Sequence, residues 1–274
     1  MKATIIIPTY NQPEWLALVL QALERQSRPP DEIVVADDGS DHRTRDLLEA
    51  YNTKGPRRIL HVWQEDIGFR KGTIVNEAVR QTTGDWLLFL DGDAIPHREW
   101  VQDHLAWSHR GDVLCGRRVK LGSELTRQVD QRMVATGKLE EWLGPVFWGP
   151  WSRANKRTLL GVRLPSVAAR LLHPRSRRLM GVNFSISRTA FAHVNGYDEE
   201  WPDRREDRDL ELRLRRAGFR FIALIHRAVV YHLHHFERPT PISTNRRVQL
   251  EERSSRIRCR AGLVDERSDM HVRV

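Results

Sequence analysis

The chain has 274 residues, 40% hydrophobic and 30% charged, with a formal net charge of +9. That length holds one large domain or two small ones with a sizeable core, and no apolar stretch approaches the roughly 20 residues that a membrane-spanning helix needs. Two distant cysteines, Cys115 and Cys259, exclude a disulfide framework and zinc-ligand spacing, and fit a reducing cytosol.

The opening MKATIIIPTY has an isoleucine run too short for a signal-peptide core and reads as a strand, TIIIP over 4–8. Glu14 to Gln26 follows as a helix, with Trp15, Leu18, Val19, Ala22 and Leu23 at helical spacing. EIVVAD (32–37) predicts a second strand, and Asp41 to Tyr51 a second helix. ILHVW (59–63), then Lys71 to Gln81, then DWLLFLD (85–91) continue the alternation. Strands alternating with helices imply a mostly parallel, Rossmann-like sheet flanked by helices. In open sheets of this kind ligands bind beyond the carboxyl ends of the strands. Polar groups collect at those ends: Thr9-Tyr10-Asn11, Asp37-Asp38-Gly39-Ser40, Gln64-Glu65-Asp66 and Asp91-Gly92-Asp93. Each alone is compatible with turn or capping chemistry, and Asp-Gly often closes a hairpin. Four such clusters on one sheet edge point to a site.

From about residue 120 to 180 the pattern loosens. Between Trp142 and Tyr197 there is no Asp or Glu but nine Lys or Arg, and these nine carry the whole net charge. A basic region of that kind attracts phosphates of nucleic acid, anionic lipid or substrate. Regular structure returns with GVNFSISRTAFAHVNGYDE, an amphipathic helix REDRDLELRLRRAG ending at Gly218, and a strand pattern FRFIALIHRAVVYHLHH. On that helix Asp209 and Glu211 read as solvated partners of Arg213 and Arg215, four residues on. The last 35 residues are polar and Arg-rich, with a weak claim to a core.

The ordered set IIIPTYNQ, VVADDGSDHRT, FLDGDAIP, NFSISRTAF, NGYDEEW, EDRDLELRL and VVYHLHH resembles the family 2 glycosyltransferases of GT-A fold. More narrowly it is similar to the branch whose C-terminal half is galactosyl- and N-acetylgalactosaminyltransferase-like, including bacterial chondroitin polymerase domains. The resemblance covers roughly residues 2–236. It implies one GT-A domain over 1–236, with a nucleotide-binding half (1–93), a smaller acceptor-side half (94–236) that holds the basic insertion at about 142–180, and a tail over 237–274.

The resemblance also implies roles. Pro8, Thr9 and Tyr10 lie against the nucleotide base, and Asp38, with Asp37 beside it, contacts base or ribose. EDIGFRKGTIVNEAV matches the next nucleotide-binding stretch. Related chains often have Arg before its Asn, whereas Val75 precedes Asn76 here, so Arg70 or Lys71 supplies the positive charge. Asp91-Gly92-Asp93 matches the DXD motif that holds a divalent metal and the donor ribose. Glu206-Asp207 matches the ED motif, with Asp207 the base of an inverting enzyme and Glu206 a partner for sugar hydroxyls. A Trp-Gly element often precedes that motif, and Asp203-Arg204-Arg205 stands there instead.

The chemistry of these residue types is consistent with those roles. A nucleotide diphosphate leaving group gathers negative charge that a hard divalent cation, Mn2+ or Mg2+, stabilises. Asp93 is the direct ligand, with Asp91 on ribose or on metal-bound water. Strand alternation points His232 and His234 to one face and His235 to the other. The resemblance favours His232 as the further ligand, with His235 second; a structural role for each histidine is the alternative. The alternative for Glu206 and Asp207 is an acidic first helical turn complementing the helix dipole.

The expected partners are a nucleotide-sugar donor, UDP-linked, and a glycan or lipid-linked acceptor in cell-surface polysaccharide or lipopolysaccharide assembly. A nucleic-acid-binding protein is the competing reading of the basic charge, but no RRM, helix-turn-helix or zinc-finger signature supports it. Residues 153–178, with VAARLL between basic flanks, suit a contact with an anionic membrane at the inner face of the plasma membrane. The expected location is therefore cytoplasmic. A solvated insertion is the alternative.

Overall fold

The seven residues ATIIIPT carry no charge; they form β1 (Ala3–Thr9), and all seven are buried. A strand covered on both faces reads as a continuous apolar run, and its alternate side chains enter two cores. Ala3, Ile5 and Ile7 pack with Leu16, Val19 and Leu20, whereas Ile6 packs with Val34, Leu87 and Phe89. The computed structural model describes residues 1–55, 57–142, 163–172, 178–201, 205–236 and 255–265. After β1 come α1 (Pro13–Glu24), β2 (Glu32–Asp37), α2 (His42–Lys54), β3 (Leu60–Trp63), α3 (Lys71–Arg80) and β4 (Trp86–Leu90). Every element expected over this half is present.

The second half runs β5 (Ala94–Pro96), α4 (Trp100–Trp107), β6 (Val113–Cys115), β7 (Arg117–Lys120), α5 (Ser123–Gln128), α6 (Gln131–Thr136), α7 (Lys138–Trp142) and α8 (Ser166–Leu172). It continues with β8 (Asn183–Ser187), α9 (Arg188–His193), α10 (Glu206–Arg216), β9 (Phe221–Ala223) and β10 (Val229–His232). Seven strands form the main sheet in the order β3-β2-β1-β4-β8-β6-β9. Only β8 runs against the rest, antiparallel to both β4 and β6. The carboxyl ends of β1, β2, β3 and β4 therefore share one edge. A second sheet, β5-β10-β7, covers its own apolar cluster of Ile95, Val119, Val229 and Tyr231.

Three expectations need correction. The pattern over 219–235 is not one strand. His226 (φ 62°) and Ala228 (φ 45°) turn the chain, so β9 joins the main sheet and β10 the second. Asp209 and Glu211 do pair with Arg213 and Arg215, at 2.7 and 2.8 Å, but they are not solvated. Asp209 and Arg213 are each 1% exposed, because Arg213 crosses to the Val194 carbonyl. Residues 255–265 are not tail-like either. Cys259 and Ala261 are buried, and Asn195 donates to the carbonyls of Cys259 and Val264. The rest of the expected tail, Asp203-Arg204 and most of 153–178 lie outside the described residues.

A buried amide ties the two sheets together. Asn183 Nδ2 donates to Arg117 O and Ala228 O, which leaves Oδ1 to accept from Trp100 Nε1 (2.9 Å) and His104 Nε2 (3.1 Å). His104 Nε2 must then carry the proton, and Nδ1 accepts from Ser185, whose oxygen takes the Trp86 indole. The network is satisfied only with a neutral imidazole. Burial pushes His104 down to about 4. The unfolded chain therefore binds a proton that the folded chain refuses between about pH 6.5 and 4, and stability falls as pH falls through that window. The loss through this one group approaches about 3 kcal/mol. Denaturant titrations at several pH values should show that slope in the wild type and a shallower one in His104→Gln. Parallel curves would refute the assignment.

Candidate active site

Asp91-Gly92-Asp93 leaves β4 in a tight turn. The Gly92 amide donates to Pro8 O (3.1 Å) and Ala94 N to Asp91 O (3.0 Å). A Cβ on Gly92 would press to 3.1 Å on Thr9 Oγ1, so the turn sits directly on the end of β1. β10 pairs with β5 in the register His232 to Ala94, and Leu233 N donates to Asp93 O. These backbone bonds set the end of β10 beside Asp93.

Asp93 Oδ1 lies 3.3 Å from His232 Nε2, and Oδ2 lies 3.1 Å from His235 Nε2. The three donor atoms fall within 4.8 Å of one another. Asp93 Oδ1 is buried without a hydrogen-bond partner among the described residues. A carboxylate whose two oxygens each face an imidazole nitrogen fits a divalent cation. Despite burial, the hydrogen bond from His235 and the two imidazole charges hold Asp93 below the ordinary carboxylate range. Burial lowers His232, whereas the bond to Asp93 raises His235. His235, not His234, accompanies His232. Strand alternation fails because β10 ends at His232. His234 turns outward, its amide donating to Thr126 Oγ1.

A second cluster surrounds Lys71, the first residue of α3. Its ammonium lies 3.2 Å from Asp91 Oδ1 and 3.5 Å from Glu206 Oε1. Burial alone would lower Lys71, but Asp91, Asp207 and Glu206 together raise it well above its ordinary value. Of the two cations expected here, Lys71 enters the site. The Arg70 guanidinium turns to Glu65 O (2.8 Å). Asp91 belongs to this cluster and not to the group formed by Asp93 and the two histidines. Burial raises Asp91, with Lys71 opposing.

Glu206 and Asp207 open α10. Glu206 is 4% exposed, and its Oε2 has no hydrogen-bond partner among the described residues. Burial and the neighbouring Asp207 push Glu206 up to about 8, against Lys71. Asp207 Oδ1 accepts from the Tyr197 hydroxyl (2.8 Å), and Oδ2 from the Gly181 amide (3.1 Å). Two neighbouring carboxyls thus meet different surroundings, the arrangement that separates acid from base roles.

Along the edge towards β2, Asp38 accepts from Gln64 Nε2 and Arg70 N, and burial raises it. Thr9 Oγ1 is buried without a partner among the described residues, and Tyr10 is 39% exposed with its hydroxyl on Asp66. Asp37 and Asn76 do not join this surface. Asp37 is fully buried, holding Ser40 N and His61. Asn76 is fully buried too, its amide clamped on the Tyr197 backbone through Oδ1 (3.0 Å) and Nδ2 (2.9 Å).

Sequence reasoning passed over Tyr197, Gly181 and Arg118. Arg118 NH1 stands 3.4 Å from His232 Nε2. A Cβ on Gly181 would collide with the Asp207 carboxylate, so only glycine lets its amide reach that oxygen. The signals were the glycine before VNFSIS and the tyrosine of NGYDE. A cavity of about 300 Å³, lined in part by Lys120, His232, His234 and His235, opens beside the metal-type group.

The chain is 30% identical over 229 residues to validoxylamine A glucosyltransferase of Streptomyces hygroscopicus subsp. limoneus, covering 78% of this chain and 48% of that protein. It thus spans about half the length of that curated relative. Staphylococcus aureus TarS residues 1–349, solved in complex with UDP-GlcNAc, superposes with TM-score 0.61 at 20% identity, over 98% of this chain and 70% of that one. The mannosyltransferase PcManGT of Pyrobaculum calidifontis, solved with GDP-Man and Mn2+, gives TM-score 0.57 at 18% identity, over 85% and 56%. The expected GT-A fold, a mostly parallel sheet with its acid-rich edge, is therefore borne out. Residues 4–171 match the family model described as Glycosyl transferase family 2, and with the architecture and strand-end carboxylates above, the chain belongs to that family.

Proposed function

We propose that the chain is a metal-dependent inverting glycosyltransferase that moves a sugar from a nucleotide-diphosphate donor, UDP-linked, to a glycan or lipid-linked acceptor in cell-surface polysaccharide or lipopolysaccharide assembly. The observation that carries this reading is the convergence on one sheet edge of two groups: Asp93 with His232 and His235, and Lys71 with Asp91, Glu206 and Asp207. The complexes of TarS with UDP-GlcNAc and of PcManGT with GDP-Man and Mn2+ support it.

Asp93, His232 and His235 would hold the cation, which when bound supplies charge neutralisation for the departing diphosphate. Thr9, Tyr10 and Asp38 receive the nucleoside end. Lys71 holds Asp91 and Glu206 in fixed relation to each other. Asp207 takes the proton from the acceptor hydroxyl as it attacks the anomeric carbon. Glu206, raised by burial, retains its proton at neutral pH and can donate to a sugar oxygen.

A membrane contact is a second part of the reading. Val167 and Leu171, four apart on α8, are 67% and 77% exposed within the stretch that lacks acidic residues. Helix neighbours four apart share a face, and a basic surround complements anionic lipid. No helix of the described residues is long and apolar enough to cross a membrane. The contact would therefore be peripheral, and nucleic acid is not a partner on this reading.

Screening UDP- and GDP-linked sugars for metal-dependent release of the nucleoside diphosphate tests the reaction class. Asp93→Ala, His232→Ala and His235→Ala should each weaken Mn2+ binding measured by calorimetry, whereas His234→Ala should leave it within about twofold. Equal, small effects from all four would remove the metal site. Asp207→Asn should lower kcat by about 10²–10⁴-fold with donor affinity held within about threefold. Turnover near the wild-type rate, or a product that keeps the donor's anomeric configuration, would overturn the base assignment. Vesicles containing phosphatidylserine should bind the protein in low salt and release it in high salt. Binding to duplex DNA but not to vesicles would reverse the partner assignment.

A further inference from the structure

Asp207 is not held by its own helix. Its oxygens are taken up by two groups from elsewhere in the chain: the Tyr197 hydroxyl, ten residues back, and the Gly181 amide, 26 residues back. Tyr197 is itself immobilised. It is 1% exposed, its ring edges lie against Phe89 and Phe191, and Asn76 brackets its backbone from both sides. The turn that delivers it is left-handed at Asn195 (φ 65°) and Gly196 (φ 70°). Residues 255–265 fasten that turn. Asn195 Nδ2 donates to Cys259 O and Val264 O, Val264 N donates to Asn195 Oδ1, and Leu263 N donates to Asn195 O. Arg80 of α3 ties the same segment down through Leu263 O.

We infer that Tyr197 is a positioning residue for the proposed base: its hydroxyl, together with the Gly181 amide, fixes the rotation of the Asp207 carboxylate, and the 255–265 segment makes that hydroxyl immobile. The inference rests on the reading of Asp207 as base. A buried phenol needs some hydrogen-bond partner, and Tyr197 commits its hydroxyl, at 2.8 Å, to the Asp207 carboxylate inside the cluster that holds Lys71. The hydroxyl therefore orients the group that accepts the proton. Among the described residues, the other charged groups that face Asp207 are Glu206 of α10, Lys71 of α3 and Asp91 after β4. All three remain when only the hydroxyl is removed.

Tyr197→Phe removes that hydroxyl and keeps the ring. Hydrogen bonds to charged groups are the stronger class, so kcat should fall about tenfold to a hundredfold, with donor KM within about threefold. The Gly181 amide offers a readout independent of turnover. Its ¹H–¹⁵N signal should change position in Tyr197→Phe, as the carboxylate it donates to turns, and change again in Asp207→Asn. An unchanged Gly181 signal and wild-type kcat in Tyr197→Phe, with Asp207→Asn inactive, would overturn the positioning role alone. A purely structural tyrosine would lower the melting temperature and leave both untouched. Wild-type turnover in Asp207→Asn would instead remove the base reading, and the positioning role with it.

Discussion

Four carboxylates, those of Asp91, Asp93, Glu206 and Asp207, meet at one edge of the sheet, and a single buried ammonium, Lys71, stands among three of them. Burying a carboxylate is costly unless a positive group pairs with it. At 3.2 Å and an effective dielectric of about 20, the contact of Lys71 with Asp91 contributes attraction on the order of 5 kcal/mol, and the same ammonium lies 3.5 Å from the Glu206 carboxyl. That attraction joins parts of the chain that are far apart in sequence: the start of α3, the turn after β4 and the start of α10. Lys71 has this place because α3 begins at the sheet edge, with Arg70 as the residue before it engaging Asp38 and Glu65. The lysine therefore orders the donor side and the acid-pair side as one unit.

The first half of the fold was legible because its signals are long and regular. Strands of five to seven buried residues, as in β1 and β4, leave an unmistakable apolar run. The second half offers less. β5, β6 and β9 are three residues each, too short for any periodicity to emerge. The break between β9 and β10 depends on positive φ at His226 and Ala228; histidine is enriched in that region but still seldom adopts it, and alanine gives no signal of it at all. Asp209 with Arg213 shows the same limit. Their i,i+4 spacing was readable, but their burial depends on the Val194 carbonyl that α10 packs against.

In the site, residues fixed by the strand-end rule were readable and residues fixed by distant backbone were not. Asp93, Glu206 and Asp207 lie together at that edge, whereas Asp91, expected to share the metal, pairs with Lys71. The resemblance placed His232 ahead of His235, and strand alternation, extended past the end of β10, put His234 on the face of His232 in its stead. Asn76 carried a ligand-like identity but serves as a clamp on Tyr197, a contact across 121 residues. Gly181 and the 255–265 segment act through backbone amides and carbonyls, which every residue possesses and no composition reveals.

The charge of the chain divides in a way that bears on the proposed reaction. The whole excess of nine positive charges lies between Trp142 and Tyr197, where there is no acidic residue, whereas the sheet edge is rich in carboxylates. A nucleotide diphosphate brings further negative charge to an edge that holds Asp91, Asp93 and Asp207 against one lysine. Glu206 eases this conflict, since a carboxyl raised to about 8 stays neutral at pH 7. Its protonation removes one repulsive charge without removing a hydrogen-bonding group. The remaining imbalance falls where Asp93, His232 and His235 offer donors to a cation. On the proposed reading, then, the cation and the anionic donor depend on each other for entry. One of the carboxylates that would repel the donor alone, Asp93, is also the one that would hold what neutralises it.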